Sequence, residues 1–581
     1  MTASLKTILI FAATALLSGI LLFLVRPKQR APIPGTPQPA KKRGTENLIL
    51  QKTSRSKTRL RFESISSGYS GISFTYFGSP SVEHYMTEQN GGGIAVFDSD
   101  GDEVCDLFFV NGSHFLHEAE SQNASNRLYR GDGQFRYQDA THVAGLEAFG
   151  FGHGCAAGDY NNDGFSDLFV ATYGLNRLWQ NNGDGTFSEI TVTSGMEGEG
   201  FSSSAAWADL NADGNLDLYV ANYLKWTPDD TPRDRVQSPM DFDGQSDLLY
   251  QNLGNGRFKE IGKEAGIAIS GDGKGLAVAI ADLNGDHQLD IYVANDTRRN
   301  FLFRNSGNFR FREVGVPTGS AVSQDGSIGS SMGIAVSDYN RDLKPDLMIT
   351  NFSQEVVDVL MNMGEAGFLA TNTELGLDAV SRPVLNFGIL STDFDLDLWP
   401  DLLFANGHLW DESDSGGMFE MPASILQNEA GERLLDAAPT AGEYFQQRWL
   451  GRSAATGDLD NDGDTDVVVS HLLAPPAVLR NDSEMQGGSQ RVRFFGKTSS
   501  RQPLGCTVNV QLTDGETLSM SVPSGGSFQA SLDPVIIVPT GTRNKIEWIS
   551  ICWPNGVVEQ WANPPADHTL RLIEGTGKHQ D

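Results

Sequence analysis

From about residue 61 the chain alternates short apolar segments with polar turns, and the alternation repeats. Runs of small residues such as "GCAAG" (154–158), "SAAWA" (204–208), "LAVAIA" (276–281) and "GIAVS" (333–337) fit a strand in a crowded inner position. Each leads through an acidic loop into a segment of the "DLYVA" type, whose β-branched and aromatic residues predict a second strand. A third segment ends in "LWQNNGDGTF", "LLYQNLGNGRF" or "LFRNSGNFRF", where Asn and Gly suit a tight hairpin with positive φ. A fourth opens at Phe62, Tyr137, Phe187, Phe258, Phe311, Phe368 and Leu434. Four short antiparallel strands per unit predict a propeller blade. Seven units then predict an all-β chain with a seven-bladed β-propeller over residues 61–484.

The fourth-strand pattern starts before the first acidic loop and is missing after the last. Ring closure explains this: the segment around Phe62 supplies the outer strand of the blade that holds Asp458, leaving no open join. After Asn481 the repeat stops. Residues 485–576 show short alternating strands with turns at regular intervals, read as a small β-sandwich, and 577–581 as a tail.

The amino terminus follows another pattern. "TILIFAATALLSGILLFLV" runs from residue 7 to 25 without a charge, about the length a helix needs to cross a bilayer. We read 1–6 as a tail, 7–25 as a transmembrane signal anchor and 26–60 as a basic, proline-rich linker; a cleaved signal peptide is the alternative. Basic residues after the apolar run outnumber those before it, which by the positive-inside rule places the bulk of the chain in the cytoplasm. The acidic loops between first and second strands, whose dense hard oxygen donors suit calcium, fill where that ion is abundant, which argues for an extracytoplasmic address: periplasm, cell surface or, with the anchor cleaved, secretion.

Charge narrows the partners. A formal net charge of −31 over 581 residues disfavours nucleic acid and anionic membrane surfaces and favours cations. Four cysteines do not make a disulfide scaffold; Cys506 with Cys552 and Cys105 with Cys155 are the conceivable pairs, and buried free thiols the alternative.

The acidic loops hold the candidate chemistry. "GDYNNDGFSDLFVA" (158–171) sets Asp159, Asn161, Asp163 and Asp167 at positions 1, 3, 5 and 9 of a loop. The same four positions recur as Asp98, Asp100, Asp102 and Asp106; as Asp209, Asn211, Asp213 and Asp217; and as Asp282, Asn284, Asp286 and Asp290. They return as Asp338, Asn340, Asp342 and Asp346; as Asp393, Asp395, Asp397 and Asp401; and as Asp458, Asp460, Asp462 and Asp466. Hard oxygen ligands at this density suit calcium, up to seven ions. A helix-loop-helix site would need Glu at position 12, where Val170 stands before a strand. Solvated acidic turns are the alternative for one copy, but chance does not hold four positions seven times. The loops at Asp159, Asp209 and Asp458 are best formed, with Gly at position 6; Glu103, His287, Leu343 and Trp399 are read in that place elsewhere, with weaker binding or none expected. Filled loops would relieve charge, so the ions would be structural.

Seven FG-GAP-type repeats of this form resemble the propeller of integrin α subunits. They more closely resemble the family that joins such repeats to an ASPIC/UnbV domain and includes cartilage acidic protein, with "FGHGCAAGDYNNDGFSDL" (151–168) carrying both the Phe151-Gly152 pair and the loop. The pieces "PLGCTVNV", "SGGSFQAS" and "WISICWPNGVVE" look like the ASPIC/UnbV domain, whose usual WPSG is here Trp553-Pro554-Asn555-Gly556. The resemblance implies calcium held by side chains at positions 1, 3, 5 and 9 with a main-chain carbonyl at 7.

Other features carry less. Neither G-x-S-x-G nor H-E-x-x-H occurs, so no catalytic residue is assigned and the protein is read as non-enzymatic. His153 and His408 lie near loops and either border a pocket or are structural. Arg130-Gly131-Asp132 spells RGD but coincides with the repeat's own turn. The insertion at 225–245, with Trp226, Arg233 and Arg235, is a candidate binding loop; an ordinary surface loop is the alternative. The functional expectation is a calcium-binding, membrane-anchored extracytoplasmic module that binds or adheres to a protein or glycan. The alternatives are an accessory or catalytic component of a biosynthetic pathway, which the UnbV resemblance implies, and a structural cell-envelope protein.

Overall fold

The computed structural model describes residues 58–580 apart from 79–83, 114–123, 149, 232–236, 270, 412, 414–416, 543–544 and 567. The apolar run read as a signal anchor, and the linker up to residue 57, lie outside the described residues. Among the described residues no helix is long and apolar enough to cross a membrane.

Each acidic loop joins the first two strands of a four-stranded antiparallel unit. In the second unit Phe151–Gly158, Asp167–Leu175, Arg177–Asn181 and Phe187–Glu189 pair in chain order. Units two and three also share an edge, where Glu199–Phe201 pairs with Tyr173–Leu175. The first strands of the units are Ile94–Phe97, Phe151–Gly158, Glu199–Ala208, Gly275–Ala281, Ile334–Ser337, Asn386–Thr392 and Gly451–Gly457. They adjoin one another in that order, and the last adjoins the first, so the seven units form the closed ring of a propeller. Small residues are required there. A Cβ on Gly158 would lie 2.8 Å from Trp207 of the next blade, and one on Gly457 2.7 Å from Val96.

The ring closes as the repeat pattern requires. Phe62–Ile65 pairs antiparallel with Ala477–Asn481, Phe62 opposite Asn481, as the outer strand of the seventh blade. Phe62 is buried, with its ring 5.3 Å from Phe394 and 5.9 Å from Phe445, so aromatic packing fastens the first strand to the last blades.

The carboxy-terminal unit has two sheets. Ile536–Gly541, Gly488–Phe495 and Thr569–Ile573 form one. Thr517–Ser521, Thr507–Leu512, Ile546–Cys552, Val558–Ala562 and Lys578–Gln580 form the other, so a strand runs into the segment read as a tail. The core between these sheets is continuous with the propeller: Val508, Ile549 and Trp553 belong to one buried cluster with Tyr160, Phe169 and Trp207 of blades 2 and 3.

Residues 523–533 leave the sandwich and run into the axis of the ring. Ser531 exchanges backbone hydrogen bonds with Ile94 and Val96 of blade 1, and Ser527 with Ile334 of blade 5. Ile280 of blade 4 donates to Ser524, Asp533 donates to Thr456 of blade 7, and Ser524 Oγ donates to the carbonyl of Trp207 in blade 3. Only a segment on the axis reaches five inner strands at once. Left-handed backbone at Gly525, Gly526, Ser527 and Gln529 turns its tip, where Phe528 is completely buried among Tyr85, Leu385, Phe387 and Met421. "SGGSFQAS" is therefore a plug for the propeller channel as well as part of the sandwich.

Candidate metal centres

All seven loops fold alike, whatever residue they carry at the turn. Positions 4 and 6 are left-handed in each: Gly101 and Glu103, Asn162 and Gly164, Ala212 and Gly214, Gly285 and His287. The pattern continues at Arg341 and Leu343, Leu396 and Leu398, Asn461 and Gly463. In the sixth loop the turn residue is therefore Leu398, which corrects the assignment of that place to Trp399. Left-handed backbone costs a non-glycine residue about 1–2 kcal/mol, and a repeated contact offsets it. The position-1 carboxylate accepts the position-6 N–H in every loop, at 2.7–3.1 Å.

The position-9 aspartates are almost fully buried and act as backbone staples. One oxygen of Asp106, Asp167, Asp217, Asp290, Asp346, Asp401 and Asp466 accepts an N–H from the third strand at 2.7–2.9 Å. In six loops the other oxygen accepts the position-2 N–H at 2.9–3.2 Å; Asp290 is the exception. A carboxylate oxygen has two lone pairs, so these bonds leave capacity for a cation.

The third strands hold a contributor that the sequence reading assigned to hairpin geometry alone. Asn305 Nδ2 donates to the carbonyl of Leu210 in the preceding blade's loop at 2.9 Å and to Leu289 in its own at 3.1 Å. Asn181, Asn252, Asn362, Asn428 and Asn481 repeat this bridge. Blade 1 has Gly131 at the equivalent place and lacks it. The signal was visible: an Asn at the end of the third strand in six copies, standing two residues before a hairpin Gly in four of them. Asn305→Ala would strand two buried carbonyls, and we expect it to lower unfolding free energy by about 1–3 kcal/mol in urea melts. The exposed hairpin neighbour Asn182→Ala is expected to change it by less than about 0.5 kcal/mol.

The donor set fits a hard cation. In blades 1, 6 and 7 the carboxylates at positions 1, 3 and 9 offer oxygens within 4.8 Å of one another: Asp98, Asp100 and Asp106; Asp393, Asp395 and Asp401; Asp458, Asp460 and Asp466. In blades 2, 3 and 4 the position-3 Asn bonds the position-5 Asp instead, as Asn161 Nδ2 to Asp163 at 2.8 Å. Among the described residues, four buried carboxylate oxygens of the loops, Asp100 Oδ1, Asp290 Oδ2, Asp395 Oδ1 and Asp464 Oδ1, have no hydrogen-bond partner. Burial, reinforced by neighbouring carboxylates, pushes Asp159, Asp209, Asp338 and Asp458 up to about 6, Asp106 and Asp346 to about 7, and Asp290 and Asp464 to about 8. A bound divalent ion would remove the cause by favouring the ionised forms.

Arginines already reach some loops. Arg59 pairs with Asp395 and Asp397 of blade 6. The sandwich contributes Arg491, 3.3 Å from Asp458 and bonded to Asn461, Arg501, 3.8 Å from Asp159, and Arg493, 3.9 Å from Asp98.

The remaining sequence candidates resolve as structural parts. His153 is fully buried, with Nδ1 3.0 Å from the Ser202 carbonyl and its ring stacked on Phe201, and burial lowers it to about 4. His408 is buried, with Nδ1 3.1 Å from the Trp410 carbonyl, and it also borders a cleft with Tyr76, Trp410 and Phe419. In the RGD sequence Arg130 pairs with Asp100 at 3.2 Å, and Asp132 accepts N–H groups of its own turn. Trp226 of the insertion is 4% exposed, packed beside Tyr85 and Tyr173, while Arg233 and Arg235 lie outside the described residues. All four cysteines are free thiols.

A family model described as FG-GAP-like repeat matches residues 98–170, 159–220, 240–293 and 284–349, and one described as ASPIC and UnbV matches 496–579. Cartilage acidic protein 1 of Mus musculus is 24% identical over 305 residues, 51% of this chain and 44% of the relative. The Homo sapiens protein of that name is 23% identical over 307 residues, 51% and 43%. The chain thus spans under half the length of the curated relatives it matches. A solved structure of an Agrocybe aegerita lectin that recognises non-reducing terminal N-acetylglucosamine is 14% identical, covering 66% of this chain and 86% of that one. Its TM-score is 0.37.

Proposed function

The chain carries FG-GAP-like repeats and an ASPIC and UnbV domain, and from this we propose that it is a calcium-stabilised, non-catalytic binding module working outside the cytoplasm. The observation behind the reading is one loop backbone built seven times, with convergent carboxylates in blades 1, 6 and 7 and, among the described residues, unpartnered buried oxygens in four copies. Side chains at positions 1, 3, 5 and 9 of each loop would hold the ion, which supplies fixed positive charge where aspartates otherwise repel. The apolar run at 7–25 would tether the module to a membrane.

Ligand recognition falls to the opposite face of the ring, because the sandwich sits on the acidic-loop face. A cleft of about 220 Å³ lies there, lined by Tyr76, Trp410 and Phe419 beside Glu88 and Asp411. Aromatic rings pack against the C–H faces of sugars and carboxylates accept hydroxyls, which favours a glycan. Calorimetric titration with calcium chloride tests the metal reading: three or more bound ions are expected, with at least one lost in Asp458→Ala. Absence of calcium heats would sink it. Glycan-array binding that disappears in Trp410→Ala, with calcium titration unchanged, tests the recognition face.

A further inference from the structure

A cavity of about 230 Å³ lies between the sandwich and the inner strands of blades 4 to 7. It exists because the sandwich is fastened unevenly. Its arginines reach the loops of blades 7, 1 and 2, whereas across the cavity Arg341 of blade 5 pairs with Glu516 at the sandwich edge. Ile280, Val336 and Leu390 line the ring side, and Met520, Val522 and Ile536 the sandwich side. Such walls favour an apolar occupant over water.

The polar groups specify the rest. Ser527, 1% exposed, contributes to the wall a hydroxyl oxygen with no hydrogen-bond partner among the described residues. Asp338, Asp393 and Asp458, the first carboxylates of three successive loops, also line the cavity. Arg341, the cation among the lining residues, is engaged by Glu516 and lies over the Trp399 ring at 4.9 Å. The loops at Asp393 and Asp458 carry four and five carboxylates and stay net negative with a divalent ion bound, even after Arg59 or Arg491 is added, whereas the three carboxylates of the Asp338 loop are offset by its own Arg341 and Lys344. At about a water's share of 30 Å³ per atom, the space holds roughly eight non-hydrogen atoms.

We propose that this interdomain cavity binds a small amphipathic amine, its apolar body between ring and sandwich and its ammonium in the field of the Asp393 and Asp458 loops. The site goes beyond the calcium-module reading and does not depend on it, because the Asp393 and Asp458 loops keep a net negative charge with or without metal. Ser527 supplies a hydrogen-bonding atom that nothing else among the described residues uses.

Calorimetry of the full protein in saturating calcium, with n-heptylamine, 1-heptanol and heptanoate as probes, tests the site. One equivalent of heptylamine is expected to bind, heptanol at least tenfold more weakly, and heptanoate weakest. Val336→Trp and Ser519→Trp fill the space from opposite walls, where both residues are half-buried, and each is expected to weaken heptylamine tenfold or more at unchanged melting temperature. Hydrogen exchange of the wild-type protein, which needs no variant to fold, is expected to show heptylamine protecting 334–337, 389–392 and 517–537. The proposal is overturned by absence of saturable heptylamine binding, by equal affinity for heptanol or heptanoate, by a folded tryptophan variant that binds normally, or by protection elsewhere.

Discussion

Chelating calcium at pH 8 is expected to lower the melting temperature by on the order of 10 °C. Three filled loops, each at a hundredfold excess of ion over its dissociation constant, supply about 8 kcal/mol, and the shift follows from the entropy of unfolding a chain this size. The effect is expected to depend on pH in opposite senses with and without metal. In the metal-free protein burial raises the loop aspartates to between about 6 and about 8, as at Asp159 and Asp464, whereas in the unfolded chain they titrate near about 4. A folded-state value above the unfolded one favours the protonated native form. That stabilisation is complete below about pH 4 and is lost as pH rises through 6 to 8. Calcium needs the ionised carboxylates, so its own stabilisation grows over the same window. Melts in calcium and in chelator at pH 5, 6.5 and 8 should therefore diverge with rising pH. Coincident melts at pH 8 would remove the metal from the structural account.

Phe528→Ala is expected to destabilise the protein by about 3–5 kcal/mol, the range for deleting a buried aromatic ring. The ring is completely buried at the far end of the axial channel and lies 5.0 Å from Phe387, so its loss opens a cavity bounded by rigid inner strands that cannot collapse into it. Phe528→Leu keeps most of the apolar volume and is expected to cost less than about 1.5 kcal/mol. A chain ending at residue 484 loses the whole plug, and with it the partners of backbone groups at Ile94, Val96, Ile280 and Ile334. It is expected to melt broadly and to bind an apolar dye. Urea unfolding of the point variants and calorimetric scans of the truncation measure both effects, and a sharp wild-type transition in the truncated chain would show the plug to be dispensable.

The sequence by itself determined the repeat, the strand order within a blade and the closure of the ring. Those follow from local patterns, such as small residues before each loop and a fourth-strand motif displaced to Phe62, and the register between neighbouring strands preserves them. It also located all seven loops, because four acidic positions in nine residues form a local signal. It ranked the loops by Gly at position 6, but not their backbone: Glu103, His287, Leu343 and Leu398 adopt the glycine conformation because the position-1 carboxylate holds their N–H groups. Only the tertiary structure decided what spans long sequence distances. The Asn305 bridge to Leu210, the arginines of the sandwich above the loops of blades 7, 1 and 2, and the entry of Phe528 into the channel join segments that share no local pattern. A lone Phe among Gly and Ser reads as a turn in sequence; it is a core residue because a ring of seven inner strands leaves an apolar hole on its axis that this side chain fills.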